Sequence, residues 1–216
     1  MRRLCFLVLA GAIPMSVFAA DDKGRTITFA KDDAGKLPKG WTADKTGKGE
    51  GSVWKVVADD TVPSKKGYVL AQTAEGPGPL FNLCVADDTN LKDVEVTVAF
   101  KANKGNKDQG GGIVWRYQDN NNYYIARMNP LEDNYRLYKV VAGKRIQLAT
   151  KEDLTVPAGT WHTLTIKMTG DQIECSLDGK KQLEGKDDTF QKAGKIGLWT
   201  KADAQTSFDD LKVSGK

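Results

Sequence analysis

Arg116, Tyr124, Arg127, Asn129, Glu132 and Asn134 fall within nineteen residues of one another. Guanidinium and amide groups donate in a plane, amide oxygens and carboxylates accept, and a phenol ring offers a flat apolar face. That combination suits a polyhydroxylated ligand, whose hydroxyls need both donors and acceptors and whose C–H faces stack on rings. The surrounding stretch, GGGIVWRYQDNNNYYIARMNPLEDNYRLYK, runs from Gly110 to Lys139 and has only five aliphatic side chains beside one Trp, five Tyr, three Arg and five Asn. A hydrophobic core does not require that mixture. It reads either as a solvated meander held by aromatic cross-strand pairs or as a polar and aromatic platform for a sugar.

The elements that must position these residues are strands. Ile113 to Tyr117, Tyr123 to Asn129 and Tyr135 to Val141 form a meander, turning at Asp119 to Asn122 and at Pro130 to Asn134. Alternation sets Arg116 on the face opposite Ile113 and Trp115, while the facing of Tyr123 to Arg127 stays open. Gly110 to Gly112 let the backbone approach a neighbouring strand or a ligand. Trp199 and Lys201 alternate against Ile196 and Leu198 and fall on the polar face of their strand, as Trp161 does on its own. Val94, Val96, Val98 and Phe100 alternate with Glu95, Thr97, Ala99 and Lys101, and Leu164, Ile166 and Met168 repeat the period. No helical stripe of ten residues occurs. About a dozen short strands separated by Gly, Asn and Asp turns predict an all-β antiparallel sandwich. Lys31 to Gly51 reads as a long surface loop anchored by Trp41. The first strand, Thr26 to Ala30, is expected near the last, Ser207 to Val213.

Composition excludes several chemistries. The net charge is +4 with no basic block, so nucleic acid has no electrostatic footprint. One His and no CxxC exclude a zinc site. Acids spaced for a strand-borne glycosidase dyad are missing, since Glu174 and Asp178 have the gap but Asp178 falls in a Gly turn. His162 shares a face with Leu164, Ile166 and Met168 and reads as a core or rim histidine. Asp119 and Asn121 begin like a calcium loop, which Tyr123 and Pro130 then spoil. Near the joined termini, Asp32, Asp33, Asp209 and Asp210 are either calcium ligands or solvated turn carboxylates.

Arg2 and Arg3 precede an apolar run from Leu4 to Met15, and Val17-Phe18-Ala19 is a small-residue cleavage pattern. This predicts a signal peptide over 1–19 and an exported, periplasmic or extracellular chain over 20–216 forming a single domain. The apolar run is shorter than the ~20 residues a membrane span needs. Export leaves Cys84 and Cys175, either two buried thiols or one bridge worth roughly 4–5 kcal/mol in the chain-entropy model.

The order of G-I-V-W-R at Gly112–Arg116, N-Y-Y at Asn122–Tyr124, W-H-x-L at Trp161–Leu164, L-D-G at Leu177–Gly179, G-x-I-G-L at Gly194–Leu198 and F-D-D at Phe208–Asp210 resembles secreted bacterial members of the concanavalin A-like lectin/glucanase superfamily. It is similar to laminin G-like modules, fructan-binding carbohydrate modules and the 3-keto-disaccharide hydrolase domain family, over Thr26 to Val213. The resemblance implies a concanavalin A-like jelly-roll of two antiparallel sheets with a carbohydrate partner on the concave face or its rim. Where the hydrolase family usually carries Gly-Asn-Ser-Gly-Ile, this chain reads Asp108-Gln109-Gly110-Gly111-Gly112-Ile113, and the acidic motif of family 16 glucanases is missing.

Three functions follow from these residues. A binder would hold sugar with Arg116, Tyr124, Arg127, Asn129, Glu132 and Asn134, with Trp199 and Lys201 at the edge. An enzyme of the 3-keto-glycoside hydrolase or lyase type would use Glu132 as base and Arg127 as cation, because a C3 carbonyl acidifies the C2–H. An envelope module with no small ligand is the third reading.

Overall fold

Period-two alternation becomes strand wherever the sequence shows it. The computed structural model describes residues 24–216. The expected signal peptide and cleavage site therefore lie outside the described residues. Fifteen strands, numbered in chain order, build two antiparallel sheets. One contains β1 (Arg25–Ile27), β3 (Trp54–Ala58), β4 (Tyr68–Gln72), β6 (Val94–Lys104), β11 (His162–Thr169), β12 (Gln172–Leu177), β13 (Lys180–Lys186) and β15 (Gln205–Gly215). Its order is β13-β12-β11-β6-β15-β4-β3, with β1 paired to β15. The other contains β2 (Trp41–Thr46), β5 (Phe81–Leu91), β7 (Gly111–Asp119), β8 (Asn122–Asn129), β9 (Asn134–Val141), β10 (Lys144–Lys151) and β14 (Gly194–Lys201), in the order β10-β9-β8-β7-β14-β5-β2. The result is a jelly-roll sandwich. Among the described residues no helix is long and apolar enough to cross a membrane.

The core between the sheets takes Val94, Val96, Val98 and Phe100 from β6 and Leu164, Ile166 and Met168 from β11. Facing them are Ile113, Trp115, Tyr124, Ala126, Met128 and Leu137 from β7, β8 and β9. Burying each large aliphatic or aromatic side chain here contributes ~1.5–3 kcal/mol over leaving it in water. A second apolar cluster draws only on the seven-stranded sheet: Phe81, Leu83, Val85, Val114, Tyr123, Ile125, Tyr138, Val140 and Trp199. It lies on that sheet's other, outer face. Two buried faces explain why Tyr123 to Arg127 shows no clear alternation of polarity.

Several expectations need correcting. Lys31 to Gly51 is not a single loop, because Trp41–Thr46 pairs with β5 as an edge strand and Trp41 packs 5.9 Å from Phe29. Cys84 on β5 and Cys175 on β12 belong to different sheets and are free, buried thiols rather than a bridge. Burial pushes both thiols up, away from reactivity. Trp199 does not lie on a wet face, for it is buried 5.4 Å from Phe81. The four carboxylates considered for calcium do not fit one. Asp32 is exposed, Asp209 is sealed, and among the described residues no group of three acidic, Cys or His side chains is placed to hold a metal.

Asp209 has its own consequence. Neither of its oxygens has a hydrogen bond of good geometry, although the Ser64 hydroxyl and the Phe29 N–H come near. Burial raises its carboxyl above the ordinary range. Its folded value then exceeds the unfolded one, so its contribution is fully present below the unfolded value and is lost as pH rises through the folded one. Asp209→Asn removes the charge, and at pH 7 it should stabilise the protein by on the order of 1 kcal/mol. Urea melts at pH 4 and 7 check this: a variant less stable than the parent at pH 7 refutes it.

Candidate functional site on the outer face of the seven-stranded sheet

Cross-strand register assembles the site. Arg127 on β8 stands opposite Arg136 on β9 and Gly112 on β7, and Gly112 stands opposite Trp199 on β14. One step along, Asn129 faces Asn134, and Lys201 faces Phe81. Residues two apart share a face, so Gly110, Gly112 and Val114 line up on the outer side of the seven-stranded sheet. The two glycines give β7 no side chain of its own in a narrow trough between Arg127 and Asn129 on one side and Trp199 and Lys201 on the other; Gly110, Gly112, Arg127, Asn129 and Trp199 are all buried there. A Cβ at Gly112 would come within 2.7 Å of Ile125 Cδ1 and 2.9 Å of Arg127 Cβ, so any side chain there would displace the arginine.

A polar network rims the trough. Arg127 Nη2 donates to Glu132 Oε2 at 2.8 Å and Nη1 donates to Asn134 Oδ1 at 3.1 Å. Asn134 Nδ2 donates back to Glu132 O at 3.0 Å, and Arg136 Nη1 reaches Glu132 Oε2 at 3.4 Å. Arg127 Nε and Asn129 Nδ2 are buried without an acceptor. Burial alone would raise the Glu132 carboxyl, but Arg127, with Asn134 and Arg136, outweighs it and holds Glu132 below its ordinary range. Glu132 is thus an ionised, partly exposed carboxylate.

A second carboxyl sits across the trough and carried no signal in the sequence. Asp108 ends the loop between β6 and β7, whose amides at Asn106, Lys107 and Asp108 donate to the Asp203 carboxylate at 2.9–3.1 Å. The loop also needs Gly105, where φ is +149° and a Cβ would lie 1.9 Å from Asp108 O. Asp108 Oδ1 accepts from Gly110 N at 2.9 Å, and Oδ2 lies 3.5 Å from Lys201 Nζ. Burial pushes Asp108 up, and Arg127, the Gly110 N–H and Lys201 only partly offset it. The site therefore holds two carboxyls whose surroundings drive them in opposite directions, the pattern that separates an acid from a base. Tyr138 and Arg145 are further residues of this face that reading the sequence missed. For Tyr138 the signal was alternation with Asn134 and Arg136. For Arg145 only the hairpin pairing with Val140 could have supplied one.

Two expected site residues are elsewhere. Arg116 adopts φ 45° in a β-bulge, which breaks the alternation that would have set it beside Val114. Its Nε, Nη1 and Nη2 donate to Lys92 O, Phe190 O and Gly170 O, each at 2.8 Å. Tyr124 faces the inter-sheet core, stacked 5.5 Å from Trp115, with its hydroxyl donating to Asp187 Oδ1 at 2.6 Å. Neither can touch a ligand on the outer face. His162 is a rim histidine, its Nδ1 2.8 Å from Asp178 Oδ2 and its Nε2 2.7 Å from Thr160 Oγ1. Trp161 belongs to the opposite sheet's surroundings, where Lys101 Nζ lies 5.0 Å from its ring centroid.

The family model of the 3-keto-alpha-glucoside-1,2-lyase-like domain matches residues 29–214. The chain belongs to this family. The match includes both carboxyls and the glycines between them. A carbohydrate-binding module from Bacillus subtilis, CBM66, superposes with a TM-score of 0.65 at 19% identity, covering 81% of this chain and 96% of that one. A Bacillus subtilis protein of unknown function with a galectin-like fold gives 0.55 at 13% identity, with coverage of 88% and 97%. A putative glycosyl hydrolase from Parabacteroides distasonis gives 0.52 at 17% identity, with coverage of 82% and 99%. At these identities the likeness is one of fold. No match to this sequence was found among curated proteins.

Proposed function

We propose that this family member binds carbohydrate in the trough over Gly110 and Gly112. The observation that carries the reading is the rim: Arg127, Asn129, Glu132 and Asn134 on one side, Asp108, Lys201 and Trp199 on the other, with only glycine contributed by β7 between them. Donors and acceptors there are held in place before a ligand arrives, which lowers the ordering cost of binding. The fold shared with a carbohydrate-binding module supports the same reading. The basic start, apolar run and small residues at Val17 and Ala19 support export, where extracellular glycans are met.

The opposed carboxyls favour a second reading, elimination from a 3-keto-α-glucoside. The C3 carbonyl acidifies the C2–H. Ionised Glu132 would take that proton, the C1–O bond would break as C1=C2 forms, and the departing oxygen would take a proton from the acid form of Asp108, which burial favours. Arg127 would stabilise the negative charge that develops on the ketone oxygen.

A glycan array followed by calorimetric titration tests the binding reading, and product formation from 3-keto-glucosides tests the second. Saturable glycan binding without turnover is the expected result. Turnover that disappears in both Glu132→Gln and Asp108→Asn, with substrate affinity retained, would replace the binder with the lyase. An array with no bound glycan and no turnover would sink both.

A further inference from the structure

Arg145 belongs to β10 at the edge of the seven-stranded sheet, yet its guanidinium carbon lies 4.5 Å from the Tyr138 ring centroid, 5.1 Å from Phe81 and 5.9 Å from Trp199. Those rings come from β9, β5 and β14, so the side chain reaches across the outer face to stand over its middle, beside the trough. Ring contacts hold a guanidinium through its faces and leave the in-plane N–H donors unspent. Arg145 Nη1 is buried and has no acceptor. Among the described residues no carboxylate stands within ion-pair distance of Arg145. Glu132 is taken by Arg127 and Arg136, and Asp108 faces Lys201. Arg127 repeats the pattern, its two terminal nitrogens occupied and its Nε buried without an acceptor.

Arg145 is half-buried with its Nη1 sealed, and a cation desolvated to that extent is normally paired, because a charge withdrawn from water without a counter-ion is costly. A neutral sugar hydroxyl could accept these hydrogen bonds but would leave Arg145 without a direct ion-pair partner. We infer that the glycan bound in this trough carries an acidic group, a carboxylate or sulfate, that pairs with Arg145 and accepts from Arg127 Nε. The inference rests on the sugar-binding reading above and specifies its ligand. Burial lowers the Arg145 pKa, and Tyr138, Asp108 and Glu132 only partly offset it.

A printed array carrying uronate-containing, sulfated and neutral glycans tests it directly. Acidic glycans should be captured at least tenfold more strongly than neutral glycans of the same length, and the better of the uronate and sulfate sets names the anion. Capture of neutral glycans as strong as that of acidic ones overturns the inference and leaves sugar binding standing. Capture of none overturns both. On the best acidic glycan and its neutral counterpart, Arg145→Met, which still covers the rings, should bring the affinity ratio to within twofold of one. Arg145→Lys, which keeps the charge, should retain a ratio above that of Arg145→Met. An acidic preference unchanged in a folded Arg145→Met variant would show that the guanidinium only fills space over the rings.

Discussion

Arg116→Met is expected to destabilise the fold by about 3–5 kcal/mol while leaving glycan affinity unchanged. The guanidinium is buried, and its three donating nitrogens each meet a different segment: Lys92 before β6, Gly170 between β11 and β12, and Phe190 before β14. Removing it strands three carbonyls together, and each buried unsatisfied group costs ~1–3 kcal/mol before relaxation. The φ of 45° at Arg116 adds strain that these bonds hold in place. For a chain of this length such a loss lowers Tm by about 10 °C. Chemical denaturation and thermal melting read the effect. A variant as stable as the parent that has lost glycan binding would return Arg116 to the site.

Arg127→Met should lower glycan affinity by ~1–3 kcal/mol, roughly five- to 150-fold. Arg127 fixes both Glu132 and Asn134, so its loss unfastens one whole rim of the trough. Glu132 provides an independent readout. With Arg127 present its folded carboxyl lies below the ordinary range, so the pairing stabilises the protein above the unfolded value and weakens as pH falls through the folded one. In Arg127→Met the Glu132 titration, followed by NMR of its side-chain carboxyl, should move upward towards the ordinary carboxylate range. Affinity within twofold of the parent, together with an unmoved Glu132, would contradict the placement of the site.

The two arginines show where sequence reasoning holds and where it fails. Both lie in the same meander, but alternation set only Arg116 on the face of Val114, while the facing of Arg127 stayed open. Arg127 takes that face because β8 pairs without a break with β9, from Tyr123↔Val140 to Asn129↔Asn134. Arg116 loses it at a bulge between Trp115 and Asp119, and a bulge re-aims a side chain without changing the residue pattern that predicts it. Tyr124 fails for a different reason. Alternation does assign it a face, but both faces of the sheet are buried, so polarity could not say which one met the core.

By itself the sequence determined the strand-rich sandwich, the meander and its turns, and the cluster of Arg127, Asn129, Glu132 and Asn134. Each of these rests on contacts between residues close in the chain or on a period of two. The sequence also set Trp199 and Lys201 at the edge of that cluster. The tertiary structure decided that they meet it across two glycines and that Trp199 is buried there. It also decided that Asp108 opposes Glu132 and that Arg145 crosses the sheet to stand over three rings. Those neighbours are set by strand order β10-β9-β8-β7-β14-β5-β2 and by register. Long-range pairing depends on the summed packing of whole faces, and no local residue pattern encodes it. The opposite shifts of the two carboxyls arise at the same level, because Glu132 and Asp108 are the same chemistry in different surroundings. One is outweighed by guanidinium and amide donors, the other by burial.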